Sequence, residues 1–426
     1  MKEKLLFALL FPLSIIAQGY TSYFTGNTNN VTRTTTAGLC LMGGATEHDN
    51  AMRWLLERAN GGDVVVLRSS GGNGYNDYLY SGLGVNVNSV ETLVITSIAG
   101  ATNPYVLDKV AHAEMIWFAG GDQYNYVSYF KDNALEDLIN QHVNLKLAPI
   151  GGTSAGMAIL CGKYFSAQNG SVTSAEALSN PYNSNITLGN NDFLNIPFME
   201  NVTTDTHFDS PDRKGRLTTF LGRIATDTNL RSFGVASNEY VAICIDATGK
   251  ASVFGDYPNY QEFAYFLQSS CQPEFVPEAC QSGLPLIWNR GGEAVKVYKV
   301  PGTMNGTNYF QLSDWQSGFG GSWEHWSVSN PGNVAQTAGT SPICALRTEE
   351  FTTSEISITP VPFDNQITIE GLQKSIIKIY DSNAKLIFEK EGSQKETINT
   401  VSFPSGVYVV AINIAGRIIT KKIIKH

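Results

Sequence analysis

Ser154 sits in the run A-P-I-G-G-T-S-A-G-M-A-I-L (148–160), and Gly152-Thr153-Ser154-Ala155-Gly156 fits G-x-S-x-G between a strand-like and a helix-like stretch. That pattern suits a nucleophile. Small flanking residues let the backbone turn sharply enough to lift the hydroxyl clear. The following helix N-terminus favours developing negative charge, and the Ala155 N–H points where an oxyanion would form. A serine hydroxyl needs a base, and His207, His325 and His426 are the histidines that follow Ser154. His207 lies in TTDTHFDSPDRKGRL, beside Asp205 and ahead of Arg213, Lys214 and Arg216; His325 lies between tryptophans in SWEHW, where packing is the plainer role. An acid must orient the base. Glu239, in GVASNEYVAICI, is a carboxylate in an apolar setting that needs a partner to offset its desolvation. Two enzymatic constellations are therefore open: Ser154 with His207 and Glu239, or the α/β-hydrolase order of Ser154, Asp205 and His325. The plain alternatives are a glycine-rich turn, a solvated charged face at His207 and a hairpin-edge charge at Glu239.

The elements that must hold these residues alternate. GLCLMGG (38–44), DVVVLRSS (63–70), VETLVIT (90–96), EMIWFAGG (114–121) and LKLAPIGG (145–152) read as strands. HDNAMRWLLERANGG (48–62) and YVSYFKDNALEDLINQH read as helices. This rhythm predicts a mostly parallel sheet with helices on both faces, whose ligands gather at the carboxyl ends of the strands. The Gly-Gly pairs at 43, 120 and 151 recur where backbone must approach something closely. GVASNEYVAICIDATGKASVFGD (234–256) predicts two antiparallel strands joined by the turn Ala247–Lys250. Residues 257–285 look like an insertion, 291–302 return to strand character, and 329–352 have a linker's composition. Residues 353–426 alternate like a small all-β sandwich.

A net charge of −9 leaves no basic stripe to neutralise phosphates, which argues against nucleic acid. From Thr353 onward nine Lys and Arg face seven Asp and Glu, so the preceding residues carry −11 and the two parts differ in surface. Lys2 and Lys4 followed by an apolar run ending at Ala17 have the proportions of a secretory signal peptide, followed by a polar lead (18–37). Export permits disulfides: Cys271 and Cys280, in a polar loop, are the best-placed pair, whereas Cys40, Cys161 and Cys244 sit in apolar runs as buried thiols.

Together FAGGDQ, IGGTSAGMAIL, DTHFDSPDRKGRL and GVASNE resemble the cyanophycinase branch of the dipeptidase E family of serine peptidases, over about residues 38–328. The resemblance implies a flavodoxin-like α/β fold, no metal or cofactor, and in many members a homodimer. It implies Ser154 as nucleophile, His207 as base and Glu239 as its acid. The oxyanion would be met by the Ala155 N–H and by amides of Gly121 or Asp122, and Gln123, Asp205, Arg213 and Arg216 fall on substrate-pocket positions. The family pattern D-Q-H-F-x-x-R-x-R-x-x-R-L is broken at Thr206 and Pro211, while Arg213 and Arg216 are kept. Proline cannot replace an arginine fork on a carboxylate. The expected substrate is therefore a peptide or a cyanophycin-like, aspartyl-containing polymer rather than strictly the β-Asp-Arg unit.

ITPVPFDNQITIEG, IYDSNAKLI, SGVYVV and the Lys-rich end resemble the C-terminal sorting domain of type IX secretion in Bacteroidota. That implies passage to the exterior or cell surface, with the type IX machinery as partner. The leading expectation is an exported serine peptidase. The others are an esterase using Asp205 and His325, and a surface binding protein that kept the fold without the chemistry.

Overall fold

The computed structural model describes residues 18–271, 274–329, 332–342, 356–382, 385–414 and 417–426. The expected signal peptide (1–17) and the second part of the expected linker lie outside the described residues. The first ten strands are β1 (Tyr20–Gly26), β2 (Gly38–Met42), β3 (Asp63–Arg68), β4 (Ser89–Ile95), β5 (Met115–Phe118), β6 (Ile150–Thr153), β7 (Val202–Asp205), β8 (Phe233–Ser237), β9 (Ala242–Asp246) and β10 (Lys250–Phe254). They are followed by β11 (Phe263–Ser269), β12 (Val295–Pro301), β13 (Asn308–Gln311), β14 (Gly318–Phe319), β15 (Ser322–Ser327) and β16 (Ala335–Ala338).

One ten-stranded sheet has the order β1-β4-β3-β5-β6-β2-β9-β10-β13-β14. Its centre, β4-β3-β5-β6-β2, is parallel. The first four of these repeat the 2-1-3-4 order of a flavodoxin-like sheet, and β2 takes the fifth place. Period-two alternation covers both faces: Leu39 and Leu41 enter one core cluster with residues of the helices Pro104–His112, Gln123–Phe130 and Ala134–Asn144. Cys40 and Met42 enter a second cluster with the helix Asp49–Arg58 on the other face. A second sheet, β16-β15-β12-β11-β8-β7, is antiparallel except for the parallel pair β7 and β8.

Several local expectations change. The polar lead contains β1, an edge strand antiparallel to β4, pinned by Ser22 Oγ donating to the buried Glu91 and by Tyr20 stacked on Tyr105. The run 234–256 yields three strands in two sheets. β9 and β10 form the hairpin, its turn allowed by Gly249 at φ 81, but β8 belongs to the second sheet. Residues 257–285 include β11, an interior strand of that sheet whose buried run FAYFLQS reads as polar-loop surroundings only in sequence. The expected helix after Gly121 breaks at Lys131–Asn133, because the Asn133 side chain caps the Leu135 N–H and starts a second helix. Part of the expected linker is β16, paired with β15. Cys271 is disulfide-bonded, but not to Cys280, which is a free buried thiol like Cys40, Cys161 and Cys244.

The C-terminal part is all β. Strands β17 (Ser357–Thr359), β18 (Gln366–Tyr380), β19 (Leu386–Asn399), β20 (Gly406–Ile414) and β21 (Arg417–Lys425) pair antiparallel in one sheet. Register shifts near Leu372 break the ladder along β18, so β17 pairs with one end of it and β20 with the other. Its core is aliphatic, with Ile367, Ile369, Ile377, Ile379 and Ile412 buried around Phe363 and Tyr408.

Candidate active site

Ser154 follows β6 at the carboxyl end of the parallel strands, with φ 52 and ψ −114. A non-glycine residue is held there only when its surroundings over-determine it. Gly152 and Gly156 do so: a Cβ at Gly152 would sit 2.6 Å from Gly156, and one at Gly156 would sit 2.3 Å from the Phe118 carbonyl. The helix-like run after Ser154 is a single turn, Ala155–Ala158, too short for an appreciable macrodipole. What remains of that expectation is the local amide of Ala155, which as a first-turn N–H has no intrahelical acceptor.

His207 follows β7 and Glu239 follows β8, both on the second sheet. His207 Nδ1 lies 2.6 Å from Glu239 Oε1, and Nε2 lies 2.8 Å from Ser154 Oγ. With the Nδ1 proton donated to the carboxylate, Nε2 is left as acceptor for the serine hydroxyl. The end of β2 ties the three together: the amides of Ser154, His207 and Tyr240 donate in turn to the carbonyls of Met42, Gly43 and Gly44 at 3.0, 2.8 and 3.1 Å. Both glycines are required by contact. A Cβ on Gly43 would lie 2.0 Å from the Asn238 carbonyl, and one on Gly44 (φ 128) would lie 2.3 Å from the His207 ring. Sequence reading saw a glycine pair there without the ring that fills the space.

The serine opens on a cavity of about 200 Å³ lined by Gly121, Gln123, Ser154, Ala155, Asp205, His207, Arg213 and Arg216, among others. Gly121, at φ 149, presents its backbone beside Ser69 and Ser70. Asp122 does not line the cavity; its carboxylate accepts the Tyr124 N–H and caps the helix Gln123–Phe130. Asp205 is nearly inaccessible and is gripped by Arg216 through Nε at 2.8 Å and Nη2 at 2.5 Å, with the Thr206 N–H also donating to it. Arg216 also donates to Ser171 Oγ, so the two expected pocket groups largely satisfy each other. Arg213 differs. Its Nη1 donates to the Thr206 carbonyl, but its buried Nε has no hydrogen-bond partner. Burial, then the neighbouring Arg216, holds its pKa below the ordinary arginine range, with Asp205 opposing.

His325 is elsewhere, on β15, where it meets Lys296 Nζ at 2.9 Å and accepts the Thr340 N–H. With Asp205 paired to Arg216 and His325 paired to Lys296, the Ser154–Asp205–His325 arrangement does not form. Sequence reading also missed Ala158, Phe165, Ala167, Ser171 and Thr204 as parts of the cavity wall. Among the described residues, no group of three or more His, Cys, Asp or Glu could hold a metal ion, and no helix is long and apolar enough to cross a membrane.

Residues 76–226 match the family model described as Peptidase family S51, and residues 357–426 match the Secretion system C-terminal sorting domain. No curated protein matches the chain. Among solved structures, the chain is similar to a peptidase from an acI-B1 Actinobacterium, at 18% identity and TM-score 0.39, over 52% of this chain and 89% of that one. It is also similar to a putative peptidase E protein from Listeria monocytogenes EGD-e, at 17% identity and TM-score 0.34, over 52% of this chain and 99% of that one.

Proposed function

From a chain that carries a Peptidase family S51 domain and a secretion sorting domain, and is thus a serine-type peptidase, we propose an exported peptidase of the cyanophycinase type. It cleaves peptide or isopeptide bonds of aspartyl-containing peptides or polymers through a Ser154–His207–Glu239 triad. The observation that carries this reading is the unbroken hydrogen-bond chain from Ser154 Oγ through the imidazole to Glu239, at 2.8 and 2.6 Å.

In the proposed reaction Ser154 Oγ attacks the scissile carbonyl carbon while His207 Nε2 takes its proton. Glu239 accepts from Nδ1–H and so fixes the tautomer and offsets the charge of the imidazolium. The tetrahedral oxyanion accepts from the Ala155 N–H and from an amide of the Gly121–Asp122 loop. Collapse breaks the C–N bond as His207 returns the proton to the leaving amine. Water, deprotonated by the same nitrogen, then releases the acyl group. Arg213, which lines the cavity with its side chain 20% exposed, supports an acidic substrate side chain. Thr206 and Pro211 support a wider range of aspartyl substrates than the β-Asp-Arg unit. The apolar run at 5–17 and the sorting domain support passage through the type IX route to the exterior or cell surface.

Ser154→Ala, assayed on cyanophycin, β-aspartyl peptides and aspartyl p-nitroanilide, is expected to lose at least about 10⁴-fold in kcat. Retained hydrolysis would falsify the reading.

A further inference from the structure

Glu239 is held through its neighbours, with the Asn238 N–H on the Phe263 carbonyl and the Tyr240 N–H on the Gly44 carbonyl. It lies beyond the end of β8, in the crossing from the second sheet to β9, outside any strand ladder. Its side chain is 27% exposed, and the next residue, Tyr240, is left-handed at φ 64. A carboxylate that must present one oxygen to Nδ1 needs its backbone fixed as well as its side chain. The Glu239 N–H has one such anchor, a side chain: it donates to Asp209 Oδ1 at 3.0 Å.

Asp209 stands two residues beyond His207 on the same loop. The loop that carries the base therefore grips Glu239 twice, by His207 Nδ1 at the carboxylate and by Asp209 at the amide. That loop is itself fastened, with the His207 N–H on Gly43 O at 2.8 Å, the Phe208 N–H on Ser237 O at 3.2 Å and the Arg213 N–H on Phe208 O at 3.1 Å. Asp209 is exposed and does not line the cavity, so it is placed to act on Glu239 rather than on substrate.

We propose that Asp209 is a positioning residue for the reaction, setting the aim of the Glu239 carboxylate on His207 by accepting the Glu239 N–H. The inference rests on the triad reading above. The role calls for an acceptor oxygen, which an amide side chain supplies as well as a carboxylate. One exposed hydrogen bond contributes little to stability. A small misplacement of a catalytic group, by contrast, can lower a rate by up to about a hundredfold. The effect therefore belongs to turnover.

The test compares the full chain with its Asp209→Ala, Asp209→Asn and Ser154→Ala variants. It reads kcat and KM on aspartyl p-nitroanilide, the rate of labelling by a fluorophosphonate, the downfield proton NMR signal of His207 Nδ1–H, and thermal unfolding. Asp209→Ala is expected to lower kcat and the labelling rate by about tenfold, leave KM and the unfolding temperature near those of the parent, and weaken the downfield signal. Asp209→Asn, which keeps an acceptor oxygen, is expected to restore most of both. Parent-like kcat and labelling in Asp209→Ala, with Ser154→Ala inactive, overturn the positioning role and leave the peptidase reading standing. Asp209→Asn as slow as Asp209→Ala also overturns it. An active Ser154→Ala overturns both.

Discussion

Ser154 leaves a parallel strand of the ten-stranded sheet, whereas His207 and Glu239 leave the two parallel strands of the six-stranded sheet. The first region makes its contribution locally. A strand, a glycine-flanked turn and one helical turn between 150 and 158 shape the serine turn, with only the Met42 and Phe118 carbonyls reaching it from outside that stretch. The second region contributes through contact. The His207 segment is held by backbone bonds from His207 to Gly43 and from Phe208 to Ser237, and Glu239 by the Asp209 side chain, from positions far apart in sequence. The end of β2 is the shared datum, because three successive carbonyls hold one amide each from the serine, histidine and glutamate segments. A site divided in this way is exposed to any change that moves one sheet edge against the other.

The comparison breaks most sharply at the proposed base, His207. His207→Ala is expected to cost about 10⁴-fold or more in kcat, while His325→Ala, equally a histidine of the second sheet, should keep near-parental kcat on the same substrate. A large loss in His325→Ala alone would reverse the assignment. The shared datum comes next. Gly44→Ala puts a methyl into the His207 ring and should lower kcat about a hundredfold. Circular dichroism and chromatographic behaviour should stay parental, and a parental kcat would remove β2 from the positioning of the base.

A smaller effect on catalysis, but a large one on stability, is expected under the cavity. Arg216→Met removes the two-pronged partner of the buried Asp205 carboxylate, leaving Arg213 at 3.8 Å and the Thr206 N–H, and should cost about 3 kcal/mol in denaturant unfolding. Arg213→Ala should instead raise KM for aspartyl substrates with little change in stability, and equal behaviour of the two variants would show that neither arginine is free for substrate. The smallest effect concerns the first region. His142, fully buried on the helix Ala134–Asn144 with Nε2 at 3.0 Å from the Pro149 carbonyl, is held down to a pKa of about 3 by burial. The unfolded chain takes up this proton near the ordinary histidine pKa and the folded chain does not. The residue's contribution is therefore full above about pH 6.5 and is lost as pH falls toward 3. Replacing His142 by Gln should flatten the acid limb of stability measured by urea unfolding, and an unchanged limb would place the proton uptake elsewhere.

The parallel centre, the helices on its two faces and the serine turn were legible because each rests on periodicity or on glycine in a short window. So was the all-β character of the tail, whose alternating isoleucines form its core. The second sheet was not legible as a sheet. FAYFLQS sits between polar segments, and nothing in its seven residues tells which strands will flank it. For the same reason β8 read as a continuation of the β9–β10 hairpin, since a two-sheet crossing and a hairpin both begin with an apolar strand and a short turn.

The sequence by itself determined which groups could react: a serine in a turn only small residues permit, a histidine among charges, and a glutamate in an apolar segment that required a partner. Only the tertiary structure decided which of them meet, turning Asp205 and Arg216 toward each other, His325 toward Lys296, and His207 toward Ser154 and Glu239. Residue type and local pattern fix short-range backbone conformation, whereas convergence of side chains drawn from two sheets depends on strand pairing and close packing across the whole chain.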